Sequence, residues 1–307
     1  MLKAYLNSFF FLMILLLNLH LVNGQQTIPF HFSGAIQPLS DLKCEAMQKT
    51  LKEEIYKNAQ WKKLVESKRM AIGLVDLQDI NKVKYAGLND DHMMYAASLP
   101  KIAVLLAAMD AIDKGELDAT EKVQEDMRLM ISKSNNSATT RLIDALGYEK
   151  IEAVLRNVRH NLYNESQGGG IWVGKRYASS GKRYPDPVKG LSHAASANKV
   201  CSYYYQLVFG KLINEERSAQ MLEILKDPAL KHKFVNTLQK IAPEADVYRK
   251  SGSWKSFHSD SVLVWGPNRR YIMVALLEDP NGELIIRNLV VPLENVLKIS
   301  SSLPCTN

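Results

Sequence analysis

Apolar and polar positions follow recognisable periods over the first third of the chain. Residues 40–60 (SDLKCEAMQKTLKEEIYKNAQ) carry apolar side chains at helical spacing, and Ser40 is placed to cap the N-terminus of that predicted helix. Two apolar runs follow, residues 68–78 (KRMAIGLVDLQ) and 81–89 (NKVKYAGLN), and the polar residues between them are typical of a turn. This part of the sequence predicts one helix and then a pair of strands.

Helical spacing dominates from Ser98 to about Glu216, and one long stretch interrupts it. Residues 164–190 (NESQGGGIWVGKRYASSGKRYPDPVKG) are rich in Gly, Ser, Pro and Lys and show no period. Structureless segments of this length are uncommon inside compact domains and are often functional. We therefore expect a helical lobe that carries one functional loop.

The last third of the chain combines helix and strand patterns. A helical run at 216–228 precedes three strand-like runs, and a closing helix is predicted at 293–303. The strand-like runs are 245–252, 259–266 and 269–278. Strands at both ends of the chain predict an α+β fold, in which an antiparallel sheet flanked by helices carries an inserted all-helical lobe.

The same patterns predict the domain organisation. Residues 25–39 are expected to be a linker, and residues 40–307 are expected to form one domain. Its sheet lobe would comprise about 40–97 and 220–307, and its helical lobe would comprise about 98–219.

The N-terminus has the pattern of an export signal. Lys3 provides a charged start, an apolar run extends from Phe9 to Leu17, and small residues follow at Val22 and Gly24. A signal peptide at 1–24 is therefore predicted, with a periplasmic or secreted mature protein and no stable membrane insertion after cleavage. An uncleaved anchor is the alternative, although the apolar run is short for a transmembrane span.

Composition and charge narrow the class of protein. The 307 residues are 46% hydrophobic, enough for a sizeable core, and the formal net charge is +7. The basic residues are dispersed and no basic patch is interleaved with aromatic side chains, so no nucleic-acid partner is expected. We expect a monomer.

Three cysteines are present: Cys44, Cys201 and Cys305. An exported protein can form a disulfide, and Cys44 and Cys305 could pair if the two ends of the chain meet; three reduced thiols are the alternative. No cysteine or histidine cluster has metal-ligand spacing, so no metal is expected.

Four S-x-x-K sequences occur, and only the one at Ser98 has a suitable context. It follows the strand pair and opens a strongly apolar helix, and Pro100 suits a first helical turn because its missing N–H removes no intrahelical bond. Ser98 would then lie at a helix N-terminus, where free N–H groups and the helix dipole favour a developing oxyanion. Lys101 would lie one turn along, where apolar surroundings lower its pKa towards that of a usable base.

Two more motifs follow in order: SNN at 134–136, which begins a helical pattern, and KSG at 250–252, which ends a strand. Together with S-x-x-K they resemble the signature of the serine β-lactamase and penicillin-binding protein superfamily, and of its class A β-lactamases in particular. The resemblance extends from about residue 40 to the end of the chain. It implies their α+β fold and serine chemistry, without a metal or an organic cofactor.

The resemblance also implies a role for each residue of the first two motifs. Ser98 would attack the amide carbonyl of the substrate, and Lys101 would act as a base or proton relay. Ser134 would pass a proton to the leaving nitrogen. Asn136 would hold the side-chain amide of the substrate and orient Lys101.

The third motif would bind the rest of the substrate. Lys250 and Ser251 would hold its carboxylate, and Lys250 would also lower the pKa of Lys101. Gly252 would let the substrate approach the strand edge closely. The backbone N–H groups of Ser98 and Ser253 would form the oxyanion hole.

One part of the class A pattern is missing. Class A enzymes carry E-x-x-L-N in their omega loop, and the glutamate activates the water that hydrolyses the acyl-enzyme; no such pattern occurs between Ser134 and Ala197. Glu165 or Asp186 could replace this base; a surface charge of the loop is the alternative for each.

The leading hypothesis is an exported serine β-lactamase that is acylated by a β-lactam at Ser98 and then hydrolyses the acyl group. A penicillin-binding-like D,D-peptidase or acyltransferase acting on peptidoglycan peptides is one alternative. A β-lactam-binding sensor that deacylates slowly is another. The expected partner is in each case a small β-lactam or a peptide.

Overall fold

The computed structural model describes residues 27–305, and the predicted signal peptide at 1–24 lies outside them. These residues form ten α-helices: α1 Glu45–Tyr56, α2 Ala59–Glu66, α3 Lys101–Asp113, α4 Glu121–Ser132, α5 Asn136–Leu146, α6 Tyr148–Arg156, α7 Ala197–Val208, α8 Glu215–Leu225, α9 Phe234–Ile241 and α10 Gly282–Ser301. They also form ten strands: β1 Met70–Asp76, β2 Lys84–Leu88, β3 Met94–Tyr95, β4 Tyr163–Asn164, β5 Gly169–Gly170, β6 Trp172–Val173, β7 His193–Ala195, β8 Asp246–Trp254, β9 Phe257–Gly266 and β10 Arg269–Glu278. Within this part of the chain, no helix has the length and hydropathy needed to cross a bilayer.

Five strands form one antiparallel sheet in the order β2-β1-β10-β9-β8. The predicted strand pair and the three predicted C-terminal strands are all present. They join where β1 pairs with β10, with Gly73 opposite Val274. The predicted α+β fold, with a sheet assembled from both ends of the chain, is confirmed.

Apolar side chains cover both faces of this sheet. On one face, α1, α9 and α10 pack over Leu74 and Met273; on the other, Val75 and Val274 face α7 and the helical lobe. Helix α3 lies inside that lobe, and all its residues up to Ala111 are buried. A helix enclosed on all sides needs apolar residues all round, which explains why α3 has so little polar surface.

The predicted helix at 40–60 is wrong in its start and its continuity. Ser40 lies in a separate 3₁₀ turn, Leu39–Leu42, where its hydroxyl donates to Asp41. Helix α1 begins only after Cys44 and ends before Asn58, whose side chain caps α2 by accepting from the backbone N–H of Trp61 at 3.1 Å. The apolar period continues through this break, so periodicity alone does not reveal it.

Two C-terminal helices also differ from prediction. Helix α9 is absent from the prediction, and α10 begins at Gly282 instead of 293 because it continues through Pro292. A proline inside a helix removes one hydrogen bond and disfavours its continuation. Here Ile286 and Leu289 are buried against the sheet on the N-terminal side of the proline, and this tertiary packing maintains the helix.

The long segment 164–190 is more ordered than its composition predicts. It contains a 3₁₀ turn at Glu165–Gln167, strand β5, which pairs with β4, and strand β6, which joins β3 and β7 in a small sheet. This small sheet positions the loop beside the start of α3.

Cys44 and Cys305 are bonded to each other, with their Cα atoms 5.1 Å apart, and Cys201 is a buried free thiol. The disulfide joins the start of α1 to the residues that follow α10.

Replacing Cys305 with serine is expected to lower the free energy of unfolding by about 2–4 kcal/mol, because the unfolded chain loses a cross-link that closes a long loop. Denaturant unfolding monitored by circular dichroism measures this change. Cys201→Ser serves as the control for loss of a cysteine outside the bond. An equal midpoint for Cys305→Ser and the wild type would contradict the prediction.

Candidate active site

Ser98 lies in a tight turn that leads into α3. Ala97 has a left-handed backbone (φ 50°), and the N–H of Lys101 donates to the carbonyl of Ser98 at 3.3 Å. Pro100 immediately precedes the helix, as the sequence predicts for a first turn. The strained residue and the turn leave Ser98 partly exposed while its neighbours Leu99 and Pro100 are buried.

Lys101 is the first residue of α3, and its side chain is fully buried. Its ammonium group donates to the carbonyl of Ser134 at 2.7 Å and to the side-chain oxygen of Asn136 at 2.8 Å. Burial lowers the pKa of Lys101 to about 7. Near neutral pH the amine is therefore partly unprotonated and able to accept a proton.

Ser134 and Asn136 reach this lysine because of the turn that precedes α5. Ser134 has a left-handed backbone (φ 55°), and Asn135 caps the helix by accepting from the N–H of Ala138 at 2.8 Å. The cap leaves the neighbouring side chains, Ser134 and Asn136, turned towards Lys101. The hydroxyl of Ser134 lies 3.4 Å from the Lys101 ammonium.

Lys250 approaches the same hydroxyl from β8. Its ammonium donates to Ser134 Oγ at 3.0 Å and to the carbonyl of Ser251 at 2.8 Å, and the side chain is 1% exposed. Burial, and then repulsion by Lys101, lowers the pKa of Lys250 well below its usual value. Ser134 therefore lies between two buried lysines, an arrangement that can move a proton across the site.

Gly252 has a packing role that the sequence does not predict, and its predicted role in close approach of a substrate stays a prediction. A Cβ atom at this position would lie 2.3 Å from the carbonyl oxygen of Ala96 and 2.5 Å from the backbone nitrogen of Ser98. Glycine is thus required for β8 to pack directly against the turn that carries Ser98. Ser259, opposite Gly252 on β9, secures the same contact by donating to the Ala96 carbonyl at 2.8 Å.

Lys233 is a part of the site that sequence reasoning missed. It is fully buried, and its ammonium donates to the carbonyl of Ser259 at 3.0 Å, to Ser253 Oγ at 2.8 Å and to the carbonyl of Gly252. Three acceptors at the end of β8 and β9 thus share one cation. No motif marks this lysine, because it comes from the segment before α9.

A buried ion pair between Arg249 and Asp260 lies next to Lys233 and Lys250. Arg249 Nε donates to Asp260 Oδ1 at 2.7 Å, and Asp260 Oδ2 accepts from the backbone N–H of Phe234 at 3.1 Å. The pair therefore ties the residue before Lys250 to the start of α9, next to Lys233. Three consecutive polar residues in an apolar strand, Ser259 to Ser261, were a sequence signal for this network.

Replacing Lys233 with methionine is expected to slow the acylation predicted at Ser98 about 10- to 100-fold, because two buried carbonyls and the Ser253 hydroxyl lose their donor and the backbone around Ser253 loses its support. The hydrogen bonds of Lys233 go to Gly252, Ser253 and Ser259 and so position the backbone around the Ser253 N–H; the limiting rate constant should therefore fall while the half-saturating substrate concentration changes little. Stopped-flow measurement of acylation gives both the limiting rate constant and the half-saturating concentration. Lys255→Met, an exposed lysine in the β8–β9 turn, is the matched control. A lower melting temperature with an unchanged rate constant would show that Lys233 only stabilises the fold.

The structure does not bring the two loop carboxylates to the lysines. Glu165 is half exposed and pairs with Arg156 at 2.5 Å. Asp186 is buried and holds its own loop together by accepting from the backbone N–H groups of Val188 and Leu191. Among residues 27–305, no carboxylate lies within 4 Å of the ammonium groups of Lys101 or Lys250, and no cluster of histidine, cysteine or acidic residues is arranged for a metal.

An aromatic side chain covers Lys101 instead. The ring of Tyr177, from the long loop, has its centroid 4.4 Å from the Lys101 ammonium, and its hydroxyl donates to the carbonyl of Ala97 at 3.0 Å. The His193 ring packs against it at 4.2 Å. Burial raises the pKa of Tyr177 well above its usual value, so the phenol stays neutral.

Comparison with known protein families gives one match. A family model described as the beta-lactamase enzyme family matches residues 58–127 and 123–293. No curated protein matches the chain significantly.

Several solved structures share the fold. The β-lactamase from Sphaerobacter thermophilus is 16% identical, with a TM-score of 0.61 over 84% of this chain and 99% of that one. PBP-A is 18% identical, with a TM-score of 0.62 over 85% and 98%. A variant of PBP-A in an acyl-enzyme complex with penicillin G is 18% identical, with a TM-score of 0.61 over the same shares. The family match spans most of the chain, and the chain therefore belongs to the beta-lactamase enzyme family, as a divergent member of the superfamily of serine β-lactamases and penicillin-binding proteins.

Proposed function

We propose that Ser98 is acylated by β-lactams and that the acyl group is released slowly. Ser98 Oγ attacks the amide carbonyl, Lys101 takes the hydroxyl proton, and Ser134 delivers a proton to the leaving nitrogen as the C–N bond breaks. The observation that carries this proposal is the buried pair Lys101 and Lys250, which meet at the hydroxyl of Ser134. The penicillin G complex of the PBP-A variant supports the same chemistry.

The remaining motif residues bind the substrate in this proposal. Asn136 holds the side-chain amide, and Lys250 and Ser251 bind the carboxylate. The oxyanion forms between the backbone N–H groups of Ser98 and Ser253, next to the packing contact made by Gly252. We also propose export, on the basis of the signal pattern at 1–24.

Slow release follows from what surrounds Lys101. Hydrolysis of an acyl-enzyme requires a base within hydrogen-bond reach of the attacking water. Glu165, the predicted stand-in, is engaged by Arg156, and the neutral ring of Tyr177 covers Lys101. Both contacts favour acylation without rapid turnover.

A chromogenic cephalosporin tests this function. We expect a burst of colour equal in amount to the protein, followed by a slow linear phase, and loss of both in Ser98→Ala. Fast turnover without a burst would overturn slow release and favour an efficient β-lactamase. No colour at all would overturn acylation by β-lactams.

A penicillin-binding-like D,D-peptidase is the second candidate, because the missing base affects β-lactam hydrolysis and leaves the acylation machinery in place. A peptide ending in D-Ala-D-Ala tests it. Release of D-alanine by the wild type but not by Ser98→Ala would support this activity, and no release would exclude it for that peptide.

A further inference from the structure

A second cavity, here called the α7 cavity, lies away from Ser98 and has no role in the proposed reaction. It encloses about 690 Å³ between the chain at 36–43, the loop at 158–168 and helix α7. Cavities of 300–1,000 Å³ are typical of small-molecule sites.

Helix α7 presents a polar face to this cavity. The lining residues of the helix are Asn198, Lys199, Ser202, Tyr205 and Gln206. Their spacing of three and four residues places them on one side of the helix. The hydroxyls of Ser202 and Tyr205 have no hydrogen-bond partner among residues 27–305, although Tyr205 is 5% exposed. Two buried atoms of lining residues, Gln206 Oε1 and His160 Nδ1, also lack a partner within the described chain. Buried polar groups without partners are costly unless water or a ligand satisfies them.

Lys199 is the most unusual of these residues. Its side chain is 7% exposed, and the hydrogen bond that its ammonium makes within the described chain goes to the neutral amide oxygen of Gln167 at 2.8 Å. No carboxylate of residues 27–305 lies within ion-pair distance. An ammonium has three donors, so two remain for another acceptor. Burial of this uncompensated charge lowers the pKa of Lys199 to about 8.

The other charges around the cavity are mostly positive. The remaining charged lining residues are Lys43, Asp90, Asp91, Arg159 and Lys211. Asp90 is already engaged, because it accepts from the hydroxyl of Tyr85 at 2.6 Å and lies 3.6 Å from the ammonium of Lys43. Asp91 is exposed. An anion in the cavity would thus meet an excess of cations.

We propose that the α7 cavity binds a small organic anion, whose phosphate or carboxylate accepts from Lys199 and whose polar groups contact Ser202 and Tyr205. The site is separate from the serine chemistry and does not depend on it.

Calorimetric titration with glucose 6-phosphate at low salt and pH 6.5 tests this proposal, since the probe carries both an anion and hydroxyls. We expect one site per chain, weakened about tenfold or more in Lys199→Met, because a charged hydrogen-bond donor is lost. Tyr205→Phe should weaken binding less. It is the second cavity variant and tests the proposal even where Lys199→Met fails to fold. Lys52→Met, an exposed lysine on α1, should bind as the wild type does. No saturable binding, or equal binding by the wild type and both cavity variants, would overturn the proposal.

Discussion

Replacing Lys101 with methionine is expected to slow acylation of Ser98 by about 10²–10⁴-fold, the usual contribution of a positioned general base. Methionine has a similar length and suits the apolar surroundings of α3, so the fold should persist. It cannot accept the proton of Ser98, and it leaves Asn136 without its lysine donor. Stopped-flow measurement with a chromogenic cephalosporin gives the rate constant. Lys133→Met, an exposed lysine next to Ser134, is the matched control.

The pH dependence of the wild type tests the same role. Because the folded-state pKa of Lys101 is about 7, the amine is mostly protonated below that pH and mostly free above it. The acylation rate constant should therefore rise between about pH 5.5 and 8 and then level off. A flat profile, or a rate constant that falls with pH, would show that neutral Lys101 is not the base.

Replacing Tyr177 with glutamate is expected to shorten the lifetime of the acyl-enzyme about 100-fold or more, because it places a carboxylate beside Lys101, where the aromatic ring now lies. Decay of the acyl-enzyme, followed by intact mass after removal of free β-lactam, measures this effect.

Two variants separate the charge from the loss of the ring. Tyr177→Gln has the same size as the glutamate variant without its charge, and Tyr177→Phe keeps the ring and loses only the hydrogen bond to Ala97. Both should deacylate close to the wild-type rate. If the glutamine and glutamate variants both deacylate faster than the wild type and at equal rates, the ring would act by excluding water, and the carboxylate would contribute nothing.

The sheet was predictable because its strands carry strong local signals. The runs around Gly73 and Val274 are apolar and bounded by turn residues, so both the strands and their assembly into one sheet could be inferred. Helix α10 was predicted too short because Pro292 disfavours a helix locally, whereas the burial of Leu289 acts through the tertiary structure. Helix α9 was missed because its N-terminus depends on Asp260, which is distant in sequence.

In the candidate site, too, features set by local sequence could be predicted and features set by tertiary contacts could not. The relation between Ser98 and Lys101 is local, since one turn separates them, and the motifs at Ser134 and Lys250 are short enough to recognise. The contacts of Tyr177 and Lys233 join segments far apart in the chain, and neither residue type is distinctive in its own sequence context. Such residues become visible only when the distances between elements are known.

Peptide mapping after incubation with benzylpenicillin tests the central claim most directly. We expect one penicilloyl group on the peptide that contains Ser98, persisting for many minutes, and no adduct in the Ser98→Ala protein. An adduct on another residue, or an unmodified wild-type protein that leaves benzylpenicillin intact, would contradict it.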